Sequence, residues 1–240
     1  GRLSEQTFEF FTRHGLVVST GAVRQYSARI KGLPGVEIMF LPSSEIPLKL
    51  ESGEAHLGVT GEDLMREKCV SIEASLVLLR RLGFGRADLV AAVPRAWIDV
   101  DSMADLDEVC AGFHRRHGRR LRVATKYSSL TRDFFARHGV SDYRIVESGG
   151  ATEGAPASGA AEAIVDITST GASLAANHLK VLDDGLILAS QACLAASLRA
   201  NWSAGARQSL RQILGRLNGA EKNRQYDDFI RRLKKSKSTP

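Results

Sequence analysis

The chain is poor in the residues that build disulfide frameworks and metal sites. Its three cysteines, Cys69, Cys110 and Cys193, are far apart in 240 residues and form no Cys-x-x-Cys pair. An odd, scattered set of this kind is typical of reduced, buried thiols in a cytoplasmic protein. The six histidines have no carboxylate or cysteine partner at metal-ligand spacing. We therefore predict a cytoplasmic chain whose own side chains build no metal site.

Long hydrophobic runs are also missing. No apolar stretch approaches the roughly 18 residues that a membrane-spanning helix needs. The opening residues lack the apolar core of a signal peptide. We expect no association with a membrane.

Little of the net positive charge lies outside the last 21 residues. Residues 220–240 contain seven Lys or Arg and three acidic residues, and so carry +4 of the net charge of +6. Aromatic side chains do not alternate with these cations, as they do in single-strand nucleic-acid binders. The pattern favours a solvated or partner-facing tail, and we expect no nucleic-acid partner.

Two common nucleotide-binding signatures are absent as well. There is no Walker A sequence, and Gly83-Phe84-Gly85 leads to Asp88 where a dinucleotide fingerprint has glycine. No Cys/His or Ser/His arrangement for nucleophilic catalysis is evident. Any enzymatic chemistry is therefore expected to depend on positioning and electrostatics.

Apolar residues make up 43% of the chain, and their spacing alternates between strand and helix patterns. Alternation of this kind predicts an α/β fold with mostly parallel sheets. The predicted strands are 36–40, 55–59, 74–79, 87–93, 122–124, 143–146, 163–167, 186–190 and 191–195. The predicted helices are 4–15, 44–52, 62–68, 102–117, 129–138, 152–161 and 203–218.

The order of these elements predicts two domains. Residues 94–181 read as a compact βαβαβα unit, and the extended apolar sequence after it can rejoin the first block. We therefore predict a discontinuous first domain, 1–93 plus 182–240, and a second domain, 94–181. Two α/β domains joined by two crossovers would enclose a cleft.

The most informative segment runs from Glu162 to Leu174. Residues 163–167 form a short apolar run with one embedded acid, Asp166, which is typical of a buried strand. Small hydroxyl residues and a glycine follow, and residues 174–177 begin a helix. Free N–H groups, hydroxyls and the helix dipole at such a turn can together hold an anion.

Asp166, at the end of that strand, can accept hydrogen bonds from a vicinal diol. A diol acceptor beside a phosphate cradle suits a ribose 5-phosphate. An ordinary βα turn capped by Ser and Thr would have the same composition, and both interpretations remain open on the residues alone.

The same segment resembles the phosphoribosyl-diphosphate loop of the ATP phosphoribosyltransferases, the enzymes that open histidine biosynthesis. The family pattern is an acidic residue, two apolar residues, Asp, and then Thr-Gly-x-Thr/Ser-Leu. It is matched by Glu162, Ile164-Val165, Asp166 and residues 170–174. Four further segments resemble family landmarks in the family's order, namely 1–3, 58–63, 122–127 and 148–153. The resemblance extends from residue 1 to about residue 200.

The resemblance implies two α/β domains around a cleft, as in type II periplasmic-binding-protein-like folds. It implies that N1 of ATP attacks C1 of phosphoribosyl diphosphate, so that phosphoribosyl-ATP forms and Mg²⁺-diphosphate leaves. It is a resemblance to the short form of the family, which implies a regulatory subunit similar to a histidyl-tRNA synthetase and a homodimer within a hetero-oligomer. The family begins with a strand and a Lys before Gly-Arg-Leu, so we expect such a segment to precede residue 1.

The resemblance also assigns roles to residues. It makes Asp166 and Arg2 catalytic. It assigns phosphoribosyl diphosphate to Glu162, Asp166, Thr168, Ser169, Thr170, Gly171, Ala172 and Ser173. It assigns ATP to Arg2, Thr60, Asp63, Lys126, Gly150 and Glu153. One loop departs from the family, because Pro42 replaces an Arg and Glu45 an Asp, which leaves more of the phosphate binding to Arg2 or Lys126.

A second hypothesis is a non-enzymatic solute- or effector-binding module of the same two-domain architecture. It accounts for a cleft equally well. It does not account for the ribose-phosphate loop, so we prefer the transferase.

Overall fold

The computed structural model describes residues 2–20, 27–218 and 222–236. The chain divides into two compact units, of which unit 1 is Gly1–Gly85 with Gln191–Pro240 and unit 2 is Arg86–Ser190. Strands and helices alternate in both, so the predicted α/β class is confirmed. The second domain was predicted to span residues 94–181. Unit 2 extends further in both directions, to Arg86 and Ser190, because two strands at its borders, Ala87–Pro94 and Leu179–Ser190, pair with each other.

Unit 2 is built on one five-stranded sheet with helices packed against it. Its strands are β6 (Ala87–Pro94), β7 (Leu121–Thr125), β8 (Tyr143–Glu147), β9 (Ala163–Thr168) and β10 (Leu179–Ser190). Its helices are α5 (Met103–His117), α6 (Ser128–Arg137) and the short α7 (Ala172–Ala176), with a single 3₁₀ turn at Thr152–Gly154.

The strand order in this sheet is β10-β6-β9-β7-β8. β7 runs parallel to both β8 and β9, whereas β6 is antiparallel to β9 and to β10. The three parallel strands therefore end at one edge of the sheet. Buried residues of this unit, such as Val90, Ala124 and Ile164, pack into one apolar cluster with Leu174 of α7.

Helix α5 shows how local sequence sets these elements. The Ser102 hydroxyl accepts a hydrogen bond from the Asp105 N–H at 3.2 Å, and the Asp105 carboxylate accepts one from the Ser102 N–H at 2.8 Å. This reciprocal cap satisfies two N–H groups that the first turn would otherwise leave unpaired. At the other end, Gly118 takes a left-handed conformation with φ of 63°.

Unit 1 contains two three-stranded sheets, β1-β2-β3 and β4-β11-β5, within its described residues. Their strands are β1 (Val18–Thr20), β2 (Ser27–Ile30), β3 (Leu33–Met39), β4 (Leu57–Gly61), β5 (Leu76–Arg81) and β11 (Ala192–Ser197). The helices are α1 (Arg2–Arg13), α2 (Ile46–Ser52), α3 (Glu62–Lys68), α4 (Ile72–Ser75), α8 (Ala204–Asn218) and α9 (Lys222–Ser236).

The basic segment near the last residue, which was predicted to be a solvated or partner-facing tail, is not simply solvated within its described residues 222–236. It forms α9, and Phe229 and Leu233 are buried in the apolar cluster of unit 1. The Phe229 ring lies 4.9 Å from that of Trp202, in a T-shaped arrangement. Charge dominates the composition here, but Phe229 and Leu233 are four residues apart and form one apolar face of the helix.

Two further predictions were wrong. Residues 152–161 form only a 3₁₀ turn and further turns, because Gly154, Pro156 and Gly159 weaken any helix there. The sheets are also not mostly parallel, since only β7–β8 and β7–β9 are parallel pairs among the described strands. β2 and β3, for example, pair antiparallel and are separated only by Lys31 and Gly32, whereas a parallel pair needs a crossover of a dozen residues or more.

The described helices include none that is long and apolar enough to cross a bilayer. All three cysteines are buried and free of disulfides, as their spacing predicted.

Candidate functional site

Several of the predicted site residues of unit 2 lie at the carboxyl ends of its parallel strands. Lys126 follows β7, Gly149 and Gly150 follow β8, and the hydroxyl-rich loop follows β9. These three strands are neighbours in the order β9-β7-β8 and run in the same direction. Ligands of open α/β sheets bind outside this edge, so the topology brings together groups far apart in sequence.

The loop after β9 is held in shape by its own hydroxyls. The Thr168 hydroxyl accepts a hydrogen bond from the Gly171 N–H at 2.8 Å, and the Thr170 hydroxyl accepts one from the Ala172 N–H at 3.4 Å. Ser169 donates to the Arg86 carbonyl at 3.2 Å. Gly171 has a φ of 74°, a left-handed conformation that glycine adopts without strain.

The loop leaves donors available at its centre. Ser173 and Leu174 lie in the first turn of α7, where N–H groups have no acceptor within the helix. A Cβ atom placed on Gly171 would meet no heavy atom within 4 Å, so the space over the loop is open. This geometry suits an anion that approaches the backbone closely.

Asp166 is the carboxylate nearest to this loop along β9. It is half-buried, and its Oδ1 accepts a hydrogen bond from the Ile167 N–H at 2.9 Å. Burial raises the pKa of Asp166, and the nearby Glu153 carboxylate adds to this effect, whereas Lys126 and the Thr152 hydroxyl oppose it. Asp166, Glu153 and Lys126 thus interact electrostatically at one place.

Thr152 is a site residue that the sequence analysis did not single out. Its side chain is completely buried, it donates a hydrogen bond to Asp166, and its hydroxyl lies 3.0 Å from that of Ser148. Thr152 comes two residues after the glycine pair that follows β8. That position, at the carboxyl end of a parallel strand, is the sequence signal that could have identified it. The buried hydroxyl fixes the orientation of the Asp166 carboxylate.

Glu162 is not brought to the loop. It precedes β9, at the opposite end of the strand from Thr168. Its carboxylate accepts hydrogen bonds from the Arg122 side chain at 2.7 Å, the Arg122 N–H at 2.8 Å and Arg119 at 3.1 Å. Burial alone would raise its pKa, but these donors outweigh burial and lower the pKa to about 2. Glu162 therefore joins two arginines instead of contacting the loop.

Replacing Glu162 by Gln is expected to destabilise unit 2 by about 1.5–3 kcal/mol at neutral pH, because hydrogen bonds to a charged acceptor contribute about this much. The folded-state pKa is depressed, so this stabilisation is present above the ordinary Glu pKa and is lost as pH falls toward 2. Urea titrations from pH 7 to pH 2.5 measure this. The free energies of unfolding of wild type and variant should converge near pH 2.5. A difference that stays constant with pH would contradict the role assigned to the ionised Glu162 carboxylate.

The other predicted ATP contacts, Arg2, Thr60 and Asp63, belong to unit 1. Thr60 is completely buried and donates to the Ser43 carbonyl at 3.0 Å, while Asp63 is 7% exposed in the first turn of α3. Arg2 begins α1 and lies at a groove of about 940 Å³. The groove is walled mainly by apolar side chains that include Phe8, Phe11, Val36, Ile38 and Leu210. The predicted ATP set is thus divided between the two units.

Unit 1 also holds a buried carboxylate that the sequence analysis passed over. Glu62 is completely buried, and it accepts hydrogen bonds from Arg81 at 2.9 Å and from Arg66 at 2.8 Å. Burial alone would raise its pKa, but the two arginines outweigh burial and lower it. Both carboxylate oxygens are thereby occupied, which indicates a structural ion-pair cluster.

The described part of the chain contains no cluster of side chains that could by itself coordinate a metal ion. No three or more His, Cys, Asp or Glu side chains are placed there to hold one. The pair Asp166 and Glu153 could still supply oxygen ligands to an ion that arrives with phosphates, since Mg²⁺ is commonly bound by one or two carboxylates plus substrate oxygens.

Comparison with known proteins places these features in a family. Residues 42–219 match the family model described as HisG, ATP phosphoribosyltransferase. An ATP phosphoribosyltransferase of Rhodopseudomonas palustris strain BisB18 is 57% identical over 97% of this chain and 72% of its own length. One from Caulobacter vibrioides strain NA1000 is 58% identical over 89% of this chain and 67% of its own length.

A solved structure shares the fold. In the ATP phosphoribosyl transferase (HisG:HisZ) complex from Thermotoga maritima, one chain is similar with a TM-score of 0.62 at 21% sequence identity. The similarity covers 98% of this chain and 93% of that one. Family match, identity and fold agree, so the chain belongs to the ATP phosphoribosyltransferase family and transfers a phosphoribosyl group from phosphoribosyl diphosphate to ATP in the first step of histidine biosynthesis.

Proposed function

We propose that this transferase binds phosphoribosyl diphosphate at the carboxyl edge of β9, β7 and β8. The observation that carries the proposal is the convergence there of Asp166, Lys126 and the Gly171 loop. Asp166 accepts hydrogen bonds from the ribose diol. The backbone and hydroxyls of residues 168–173, including Ala172 and Ser173, hold the 5-phosphate.

Asp166 is suited to a diol because its carboxyl group is only partly solvated. Its raised pKa reflects burial, and a carboxylate that has lost part of its hydration gains more from a neutral donor. The hydrogen bonds from Ile167 and Thr152 hold it in one orientation. The carboxylate therefore binds the sugar without first rearranging.

The leaving diphosphate needs positive charge on the far side of C1. Lys126 lies on the same edge and interacts with Asp166. We propose that Lys126 contacts the diphosphate. We also propose that the carboxylate oxygens of Glu153 and Asp166 would help hold Mg²⁺. The ion, when bound, neutralises charge that develops on the departing diphosphate.

The adenine nitrogen of ATP is already a nucleophile, so the chain need not generate one. We propose ATP contacts in each unit taken by itself, namely Arg2, Thr60 and Asp63 in unit 1 and Gly150, Glu153 and Lys126 in unit 2. Thr60 would act through its strand, since its hydroxyl already donates to Ser43. Catalysis then depends on holding N1 against C1 and on stabilising charge.

We propose a cytoplasmic location and a separate regulatory partner. The solved Thermotoga maritima complex pairs HisG with HisZ, and the fold that our chain shares with it supports a comparable subunit, similar to a histidyl-tRNA synthetase. A homodimer within such a hetero-oligomer is the assembly we expect. The free, buried cysteines agree with a reducing compartment.

The phosphate loop is tested by Gly171→Val. A β-branched residue at a φ of 74° is strained by about 1–2 kcal/mol, and it places methyl groups where the anion must approach. Binding of ribose 5-phosphate, measured by calorimetry, is expected to fall about tenfold or more.

Gly139→Val is the matched control. Gly139 has a φ of 76° and similarly open surroundings, but it follows α6, away from the loop. Both variants should lose similar stability, and only Gly171→Val should lose ligand binding. If Gly171→Val binds ribose 5-phosphate like Gly139→Val, the loop is only a structural turn.

A further inference from the structure

Four arginines line a pocket of unit 2, at the end of the parallel strands opposite to the loop after β9. Arg119, Arg120, Arg122 and Arg144 surround a volume of about 320 Å³. They lie in or just before the first residues of β7 and β8. A five-residue strand is about 16 Å long, so this pocket is remote from the loop after β9.

Two of the guanidinium groups are held in place by neighbouring groups. Arg119 lies over the Phe113 ring, with 4.7 Å from its Cζ to the ring centroid. Arg122 donates to the Gly159 carbonyl at 2.8 Å and to Glu162 at 2.7 Å. Such fixed side chains lose little conformational entropy when a ligand binds.

The charges of the pocket are not balanced. The four guanidinium groups face two carboxylates, Glu162 and Asp142, which leaves an excess of two positive charges. Arg120 is 3.9 Å from Asp142, at the limit of an ion pair, and Asp142 also contacts His114 at 3.1 Å. Arg144 makes no ion pair with any described residue. The donors of Arg120 and Arg144 therefore remain largely available.

We propose that this pocket binds a small anion with two or more linked phosphate groups. Each guanidinium presents a planar fork that binds phosphate oxygens in pairs, so Arg120 and Arg144 can each hold one phosphate. The volume exceeds what a single phosphate needs and lies at the lower limit of small-molecule sites. The proposal is independent of the role assigned to Asp166 and the Gly171 loop.

The test is a calorimetric titration of the full chain with inorganic diphosphate at physiological salt. Arg120→Gln/Arg144→Gln is compared with Arg29→Gln/Lys31→Gln, which removes the same charge from exposed positions on and beside β2 in unit 1. Both pairs also carry Gly171→Val, so that any binding at the loop after β9 is equally weakened. We expect diphosphate affinity about tenfold or more lower in the first pair than in the second.

Two further measurements make the result decisive. Arg144→Gln alone removes no ion pair with a described residue, so it should keep the fold while still weakening diphosphate binding. A tetra-aspartate peptide probes carboxylates in place of phosphates. Equal diphosphate affinity in the two double variants, or tighter binding of the peptide than of diphosphate, would overturn the proposal.

Discussion

Replacing Asp166 by Asn is expected to lower turnover about 100-fold or more and to weaken phosphoribosyl diphosphate binding by roughly 10- to 100-fold. Loss of a charged hydrogen-bond acceptor costs about 1.5–3 kcal/mol, which gives the effect on binding. The free energy of unfolding should stay constant or rise. Burial makes the ionised carboxylate unfavourable in the folded chain, so an amide of the same shape removes that cost. Steady-state kinetics, calorimetry and urea unfolding measure the three quantities.

The stability difference should depend on pH in a defined direction. Because the folded-state pKa of Asp166 is raised, the folded chain binds the proton more tightly than the unfolded chain does. Wild type therefore loses stability relative to Asp166→Asn as pH rises through the ordinary Asp pKa and the raised folded value. Below both values the two proteins should be equally stable.

Asp99→Asn is the control, since Asp99 is an exposed acid of the same unit. It should leave turnover and phosphoribosyl diphosphate binding unchanged. Asp166→Asn with normal phosphoribosyl diphosphate affinity would remove Asp166 from the diol role. A variant that lost both stability and turnover would make Asp166 a structural residue instead.

The chemistry of unit 2 could be inferred from sequence because its signals are local. The strand at residues 163–167, the small hydroxyl-rich turn and Asp166 are contiguous, and the structure extends the strand by one residue, to Thr168. Lys126 could be placed on the same edge because parallel neighbouring strands must end together. Periodicity and strand direction were sufficient for these residues.

The contacts of Glu162 and Thr152 could not be predicted from the local sequence. Glu162 is only four residues from Asp166, yet a strand carries those residues to opposite edges of the sheet, where Arg119 and Arg122 engage Glu162. Thr152 contacts Asp166 only because β8 and β9 lie on either side of β7. Neither contact can be read from one segment, since each depends on how several strands pair.

The prediction of a solvated tail was wrong for residues 222–236, and for a different reason. Net charge describes the average of a helix, whereas burial depends on one face. Phe229 and Leu233 lie on the buried face of α9, while Arg231 is three-quarters exposed on another. A strongly basic helix can therefore be an integral part of the core.

That correction makes Phe229→Ala the largest stability change that we expect in unit 1. Phe229 is completely buried against Trp202, and truncation of a buried Phe to Ala costs about 3–5 kcal/mol through lost burial and the cavity left behind. Arg231→Ala, on the exposed face of the same helix, should change the free energy of unfolding by less than about 0.5 kcal/mol. Urea unfolding followed by tryptophan fluorescence separates the two variants, because Trp202 reports directly on this contact.

Deleting α9 from residue 222 onward should uncover the same cluster and abolish cooperative unfolding of unit 1, so it cannot serve as a neutral truncation. An unchanged urea midpoint for Phe229→Ala would mean that α9 leaves this surface in solution, and that its cations are free for a partner after all.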